Sequence, residues 1–273
     1  MPHITATDGT EIYYTDQGSG QPILFSHGWP LSSDAWQVEL KTFADAGFRT
    51  IAHDRRGHGR SSSSYTGNDM DTYAKDVSEL VEALDLHDLV VVGHSTGGGE
   101  VVRYAARYGA GRVAKVITAG AVPPIMVKSD ANPEGTPIEA FDDIRAGVLR
   151  DRSQFYKELA VPFYGANRDG AKVSQGAIDD FWRQSMLVNL AAAYDCVEAF
   201  SETDQTEDLK SLDVPIMIAH GDDDQIVPIA DAAEKSIKLV KNGTLKVYPG
   251  APHGIYGAYQ EQLDKDMLEF IGG

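Results

Sequence analysis

Runs of apolar, often β-branched residues alternate with stretches of helical spacing along most of this chain. "QPILFSHG" is an apolar run that ends in a turn, and "SSDAWQVELKTFADAG" has helical spacing with Gly47 past its end. "FRTIAHD" reads as a strand and "DMDTYAKDVSELVEALDL" as an amphipathic helix with Asp near its start. "DLVVVGHS" is nearly continuous in branched residues, as a strand buried on both faces in the middle of a parallel sheet must be. A helix ("TGGGEVVRYAARYG") and a strand ("VAKVITAG") follow. Later come "VPIMIAHG" (strand), "IADAAEKSIKLVKNG" (helix), "TLKVYPG" (strand) and a last helix to about Phe270. Near the start, "EIYYTDQG" is short and alternating and reads as an antiparallel edge strand. The alternation predicts an α/β fold, a mostly parallel central sheet with helices on both faces.

One segment breaks the pattern. Residues 122–213 contain no convincing strand, and "PIEAFDDIRAGVLRDRSQFYKELA" and "GAIDDFWRQSMLVNLAAAYDCVEAF" look helical. The expected organisation is a core over 1–121, an inserted helical lid over 122–213 and the rest of the core over 214–273. The insertion is rich in large aromatics: Phe141, Phe155, Tyr156, Phe181, Trp182, Tyr194 and Phe200. Most of these are expected to fill the helical layer itself, and the inner face is expected to wall a pocket.

Charge and cysteine content narrow the partners. The formal net charge of −17 disfavours nucleic acid and anionic membrane surfaces. Cys196 is the single cysteine, so no intrachain disulfide can form. "MPHITATDGT" lacks the basic and apolar regions of a signal peptide, and no apolar run reaches the ~18 residues of a membrane helix. The expectation is a cytoplasmic protein with neither a nucleic-acid nor a membrane partner.

The chemistry is expected where "DLVVVGHS" turns into the next helix. Gly93-His94-Ser95-Thr96-Gly97 fits the G-x-S-x-G nucleophile elbow, with the strand before it and the helix after it that such a corner requires. The turn strains its middle residue, needs small neighbours two positions away, and lifts the hydroxyl above the sheet edge. The helix N-terminus adds unpaired N–H groups and positive potential. A phosphate-cradling turn is the competing reading, but neither G-x-x-x-x-G-K-[ST] nor G-x-G-x-x-G occurs.

A nucleophilic serine needs a base and a group to orient that base. For this topology the chain order is Ser, acid, His, with the acid after a late strand and the His after the last. "DDDQIVP" follows "VPIMIAHG", and "APHG" follows "TLKVYPG". His253 is therefore the expected base. Of Asp222, Asp223 and Asp224, the last is the expected acid, being third after Gly221 and just ahead of Val227-Pro228. Asp222 and Asp223 are expected to be solvated turn carboxylates rather than ligands of a hard cation. For the oxyanion, the residue after the nucleophile, Thr96, offers one N–H. Trp29 in "ILFSHGWP" offers a second, since Pro30 has none.

Other polar groups are expected to be structural. Asp54, Arg55, Arg56 and Arg60 in "AHDRRGHGRSS" read as a turn held by ion pairs. His27, His94 and His220 lie at strand ends and read as hydrogen-bonded supports, since the chain offers no zinc ligand set.

"HGWP", "HDRRGHGRS", "GHSTGGGE", "AVPPIMVKSD", "FSETD" and "HGDDDQIVP" through "PHG" together resemble the cofactor-free bacterial haloperoxidases, also called non-haem chloroperoxidases. These belong to the aryl esterase and perhydrolase branch of the α/β-hydrolase superfamily, and the resemblance covers nearly the whole chain, lid included. It implies Ser95, Asp224 and His253 as the catalytic triad and the N–H groups of Trp29 and Thr96 as oxyanion donors. It also implies a small apolar acyl pocket lined by Trp29, Val122, Met126, Phe200, Ile226 and Val227. The implied activity is hydrolysis of small carboxylic esters through an acyl-enzyme, with peracid formed when hydrogen peroxide replaces water. No cofactor or metal is implied, and a homo-oligomer is. The same triad would also serve a lactonase or γ-lactamase acting on a lactone or lactam. A ligand-binding receptor on the hydrolase scaffold is the non-enzymatic alternative. An aspartate-nucleophile enzyme would carry Asp where Ser95 stands.

Overall fold

The computed structural model describes residues 2–273 apart from 256 and 258. Among the described residues, eight strands form one sheet: β1 (His3–Thr5), β2 (Glu11–Gly18), β3 (Pro22–Ser26), β4 (Arg49–His53), β5 (Leu89–His94), β6 (Val113–Ala119), β7 (Ile216–Gly221) and β8 (Gly243–Tyr248). Their order is β1-β2-β4-β3-β5-β6-β7-β8. The pairings of β2 with β1 and β4 are antiparallel and all others parallel. The helices are α1 (Gln37–Asp45), α2 (Met70–Ala83), α3 (Thr96–Arg107), α4 (Ile138–Phe163), α5 (Gln175–Ser185), α6 (Leu190–Ser201), α7 (Thr206–Ser211), α8 (Ala233–Ser236) and α9 (Gln260–Gly272).

The strand period of two divides the core. Ile23, Phe25, Val90 and Val92 face a cluster that includes Leu40 and Phe43 of α1 and Leu263 and Met267 of α9. Leu24 and Val91 face the opposite cluster, with Val77 and Leu80 of α2 and Val101 and Val102 of α3. Every residue of β5 is buried, which is why its sequence shows no alternation.

Three expectations need correction. "EIYYTDQG" is not the edge strand: β2 pairs on both sides, and the three-residue β1, too short to read from sequence, forms the edge. "IADAAEKSIKLVKNG" yields only the four-residue α8. Its N-terminus has no side-chain cap, and several of the surrounding hydrogen bonds close over three residues, as at Lys238 and Leu239, so the segment turns rather than extending as an α-helix. "GAIDDFWRQSMLVNLAAAYDCVEAF" is two helices, broken before Asn189, whose Oδ1 accepts from the N–H of Ala191 and Ala192 and starts α6.

The segment between β6 and β7 carries α4 to α7, with only isolated bridges such as Val127 to Thr136 among the described residues. Within α4 the backbone leaves the helical range at Asp151 (φ −161°, ψ 83°). The Asp151 carboxylate then accepts from the Gln154 N–H at 3.1 Å, so the second half restarts as a capped helix.

The Arg-rich turn after β4 is held by ion pairs. Arg56 forks onto Asp76 at 2.6 Å, and Arg60 pairs with Asp54 and Asp34.

Two carboxyl groups are buried where α1 meets α9. Glu39 is 1% exposed and accepts from Gln260 Nε2 at 3.2 Å, and Asp264 Oδ1 has no hydrogen-bond partner among the described residues. Burial, helped by the charge of Asp264, pushes Glu39 up to about 8, and burial pushes Asp264 up to about 6. A carboxyl whose folded pKa is raised leaves stability intact below its unfolded value and lowers it as pH rises through the folded value. Glu39 thus destabilises the fold progressively from about pH 4.5 to about pH 8. Glu39→Gln is expected to gain about 2–4 kcal/mol of stability over wild type at pH 8 and little at pH 4. Urea unfolding at the two pH values checks it, and equal effects at both would contradict it.

Candidate active site

β5, β6, β7 and β8 run parallel, so their C-terminal ends share one edge of the sheet, where ligands of open α/β sheets bind. Ser95 lies between the last residue of β5 and the first of α3, with φ 54° and ψ −120°. A non-glycine residue there is strained, and the surroundings hold it in place. The Ser95 N–H donates to Ala119 O at 3.0 Å, and Ser95 O accepts from the Gly98 N–H at 2.9 Å. A Cβ at Gly93 would lie 2.2 Å from Gly97 O, and one at Gly97 would lie 2.3 Å from Ser26 O. The two glycines of the motif are thus required by backbone contact.

Asp224 follows β7 and His253 follows β8. His253 Nδ1 and Asp224 Oδ2 are 2.7 Å apart, both side chains fully buried. The other carboxylate oxygen, Oδ1, accepts from the N–H groups of Ile226 (2.9 Å) and Val227 (2.8 Å). His220 Nε2 lies 2.8 Å from Val227 O and 3.3 Å from Asp224 Oδ2. Burial opposes ionisation of Asp224, but the charge of His253 and the bonds from His220 and His253 outweigh it and hold the carboxyl well below its ordinary value. The neighbouring carboxylates point elsewhere. Asp222 Oδ1 accepts from the Gly250 N–H at 2.6 Å, and Asp223 is forked by Arg168 at 2.6 and 2.5 Å. No group of three or more His, Cys, Asp or Glu placed to hold a metal occurs among the described residues.

The ring of His253 is packed as well as bonded. Phe163, the last residue of α4, meets it edge-on at 4.9 Å, and the Gly254 N–H donates to Phe163 O at 2.7 Å. His94 Nε2 lies 2.9 Å from His253 O. Burial, then the neighbouring His253, holds His94 well below its ordinary value, so His94 is a neutral ring.

Ser95 and His253 both open onto one cavity of about 60 Å³. The Ser95 hydroxyl makes no hydrogen bond among the described residues; the shared wall is what brings it to His253 here. Bonds of this kind commonly tighten only when a substrate is bound. Trp29 and Thr96 line the same cavity, and neither backbone N–H has an acceptor among the described residues. Thr96 is the first residue of α3, where no acceptor lies one turn back. Trp29 Nε1 donates to Ala193 O at 3.0 Å, tying the loop after β3 to α6.

The structure puts Trp29, Val122, Met126, Phe200, Ile226 and Val227 around this cavity. It adds Phe141, Ile144, Leu159 and Phe163 from α4, which sequence reasoning did not single out as lining. Their signal was the apolar spacing 141, 144 in the first half of α4 and 159, 163 in the second, which marks buried faces without saying what they are buried against. Apart from His253, no titratable side chain lines the cavity among the described residues.

The family model described as the alpha/beta hydrolase fold matches residues 21–257. A non-heme haloperoxidase of Rhodococcus erythropolis is 58% identical over 272 residues, covering 99% of this chain and 99% of its own. A bifunctional esterase/perhydrolase of Acinetobacter calcoaceticus is 51% identical over 274 residues, with 99% of each covered. Among solved structures, a bromoperoxidase from Bacillus anthracis superposes with a TM-score of 0.95 at 35% identity over 100% of both chains. With its Gly93–Gly97 corner, its β7 and β8 loops meeting at His253 and this likeness along the whole length, the chain belongs to the α/β-hydrolase fold family, among its non-heme haloperoxidases and esterase/perhydrolases.

Proposed function

We propose that the protein is a serine hydrolase of small carboxylic esters that also forms peracids. Ser95 attacks the ester carbonyl as His253 removes its proton. Asp224 fixes the His253 tautomer through Nδ1 and stabilises the imidazolium. The N–H groups of Trp29 and Thr96 receive the oxyanion, a contribution of about 3 kcal/mol for each aimed donor. His253 returns its proton to the leaving alcohol. Water, activated by the same ring, then releases the acid, and hydrogen peroxide in its place releases a peracid. One observation carries this reading: Ser95, in its strained corner, and His253, bonded to Asp224 at 2.7 Å, face the same apolar cavity.

Trp29, Val122, Met126, Phe200, Ile226 and Val227 form the acyl pocket, together with the α4 residues. A wall without charge suits an uncharged acyl group, and about 60 Å³ suits a short one. Small esters or lactones are the substrates on this reading. The segment 122–213 serves as the lid between the core parts 1–121 and 214–273. No described helix is long and apolar enough to cross a membrane, and the working place proposed is the cytoplasm, as a homo-oligomer.

Turnover of p-nitrophenyl acetate with and without hydrogen peroxide tests the proposal. Peracid should form at the expense of acetate as peroxide rises, with p-nitrophenol release continuing. Turnover with no peracid at any peroxide concentration would remove the perhydrolase half. Chain length gives a further prediction. The octanoyl ester should have kcat/KM lower than the acetyl ester by about tenfold or more, because the longer chain overfills the cavity. Equal values would contradict the assigned acyl pocket.

A further inference from the structure

The histidine before the oxyanion loop is fully buried and takes no part in the steps above. His27 Nε2 lies 3.0 Å from the backbone N of Arg55, which can only donate, so Nε2 accepts. The neutral ring then carries its proton on Nδ1, 2.9 Å from Gly28 O. That carbonyl also accepts from the Leu31 N–H at 3.0 Å. The Gly28–Trp29 peptide is trans, so its C=O and N–H point in opposite directions within one plane. Fixing the carbonyl therefore fixes the Trp29 N–H. Gly28 itself lies against the nucleophile: a Cβ on it would lie 3.1 Å from Ser95 Cβ and 2.7 Å from His94 Nδ1.

The partner of the His27 ring is itself locked to the nucleophile's helix. Arg55 Nη2 donates to His27 O at 2.7 Å, and Arg55 Nε and Nη2 donate to Glu100 Oε2 at 2.8 and 2.5 Å. Glu100 also accepts from Ser26 Oγ at 2.7 Å, and its other oxygen lies 2.8 Å from His53 Nε2. All these side chains are buried. Burial, then the charges of Arg55 and His58, keeps His27 neutral by holding it well below its ordinary value.

We infer that His27 is a positioning residue for the oxyanion contact: its ring ties the Gly28 carbonyl to the Arg55 backbone and so turns the Trp29 N–H towards Ser95. Arg55 and Glu100 anchor that tie to α3, which starts at the nucleophile. The inference rests on Ser95 as nucleophile and Trp29 as donor.

Two variants separate positioning from mere packing. In His27→Asn the amide takes the place of Nδ1 and still donates to Gly28 O. In His27→Gln it takes the place of Nε2, accepts from the Arg55 N–H and leaves the Gly28 carbonyl without its ring donor. His27→Gln is expected to lower kcat/KM for p-nitrophenyl acetate by about 30-fold, mostly in kcat, and to weaken inhibition by phenylboronic acid, a tetrahedral-adduct former, by a similar factor. His27→Asn should stay within about threefold of wild type in both. A folded His27→Gln with wild-type kinetics and boronate affinity overturns the inference. Equal losses in the two variants, tracking their melting temperatures, overturn it too. Should His27→Gln fail to fold, the ring-nitrogen chemical shifts of His27 in the wild type decide. A proton on Nδ1 supports the inference, and a proton on Nε2 overturns it. A wild type that neither turns over the ester nor binds boronate overturns the hydrolase reading as well, which distinguishes the two failures.

Discussion

Replacing Ser95 by alanine should remove ester hydrolysis and peracid formation together, by about 10⁴-fold or more in kcat, and leave the fold intact. Both activities are assigned to one acyl-enzyme, so no substitution at the nucleophile can spare one of them. The fold survives because alanine keeps the Cβ that the corner already accommodates. The backbone bonds to Ala119 and Gly98 do not involve the hydroxyl. The strain at φ 54° is common to both residues, so the melting temperature should barely move. Ser95→Gly, equally inactive, should unfold less readily than Ser95→Ala, since glycine tolerates a positive φ. The check is p-nitrophenyl acetate turnover and peracid assay beside thermal unfolding of the three proteins. Peracid formation persisting in Ser95→Ala would separate the two chemistries and refute the shared intermediate.

Asp224→Asn is the second large effect, and the geometry says why. Asp224 Oδ1 accepts two backbone N–H groups, from Ile226 and Val227. In the variant, the amide oxygen must take that place, because an NH₂ there would face two donors. The NH₂ then faces His253 Nδ1, which must accept rather than donate. The ring proton moves to Nε2, and His253 can no longer take the Ser95 proton. A loss of about 10⁴-fold in kcat is expected, with substrate binding little changed. Steady-state kinetics with the acetyl ester provides the test. A loss of less than about tenfold would mean that Asp224 does not orient the base. In the wild type the carboxyl pKa is depressed. Its ionised form therefore supports stability at all pH values above the ordinary carboxylate range, and this support is lost only as pH falls through the depressed value.

What was legible in the sequence followed short-range constraint. The corner at Ser95 is written in Gly93 and Gly97, whose missing side chains are demanded by backbone oxygens at 2.2 and 2.3 Å. The parallel sheet is written in the unbroken apolar runs of β5 and β7, buried at every position. Asp224 was distinguished from Asp222 and Asp223 by its place relative to Gly221 and Val227. In the structure the other two are occupied by Gly250 and Arg168. Where tertiary context decides, the sequence is silent. β1 has three residues and exists as a strand only through its pairing with β2. α8 stops after four residues in a segment whose apolar spacing suits a longer helix. The α4 wall shows as an apolar helix face, but nothing in its spacing says that Leu159 and Phe163 meet Ser95 and His253 across one cavity. The tie from Glu100 through Arg55 and His27 joins residues of α3, the turn after β4 and the end of β3, and no local pattern encodes it.

Acyl transfer through Ser95 requires that residue to carry the acyl group during turnover. The most direct measurement quenches the enzyme in acid within milliseconds of mixing with p-nitrophenyl acetate and maps the modified peptide by mass spectrometry. One acetyl group on Ser95, lost faster as hydrogen peroxide is added and absent from Ser95→Ala, is the predicted result. An acetyl group on another residue, or rapid turnover with Ser95 never acetylated, would contradict it.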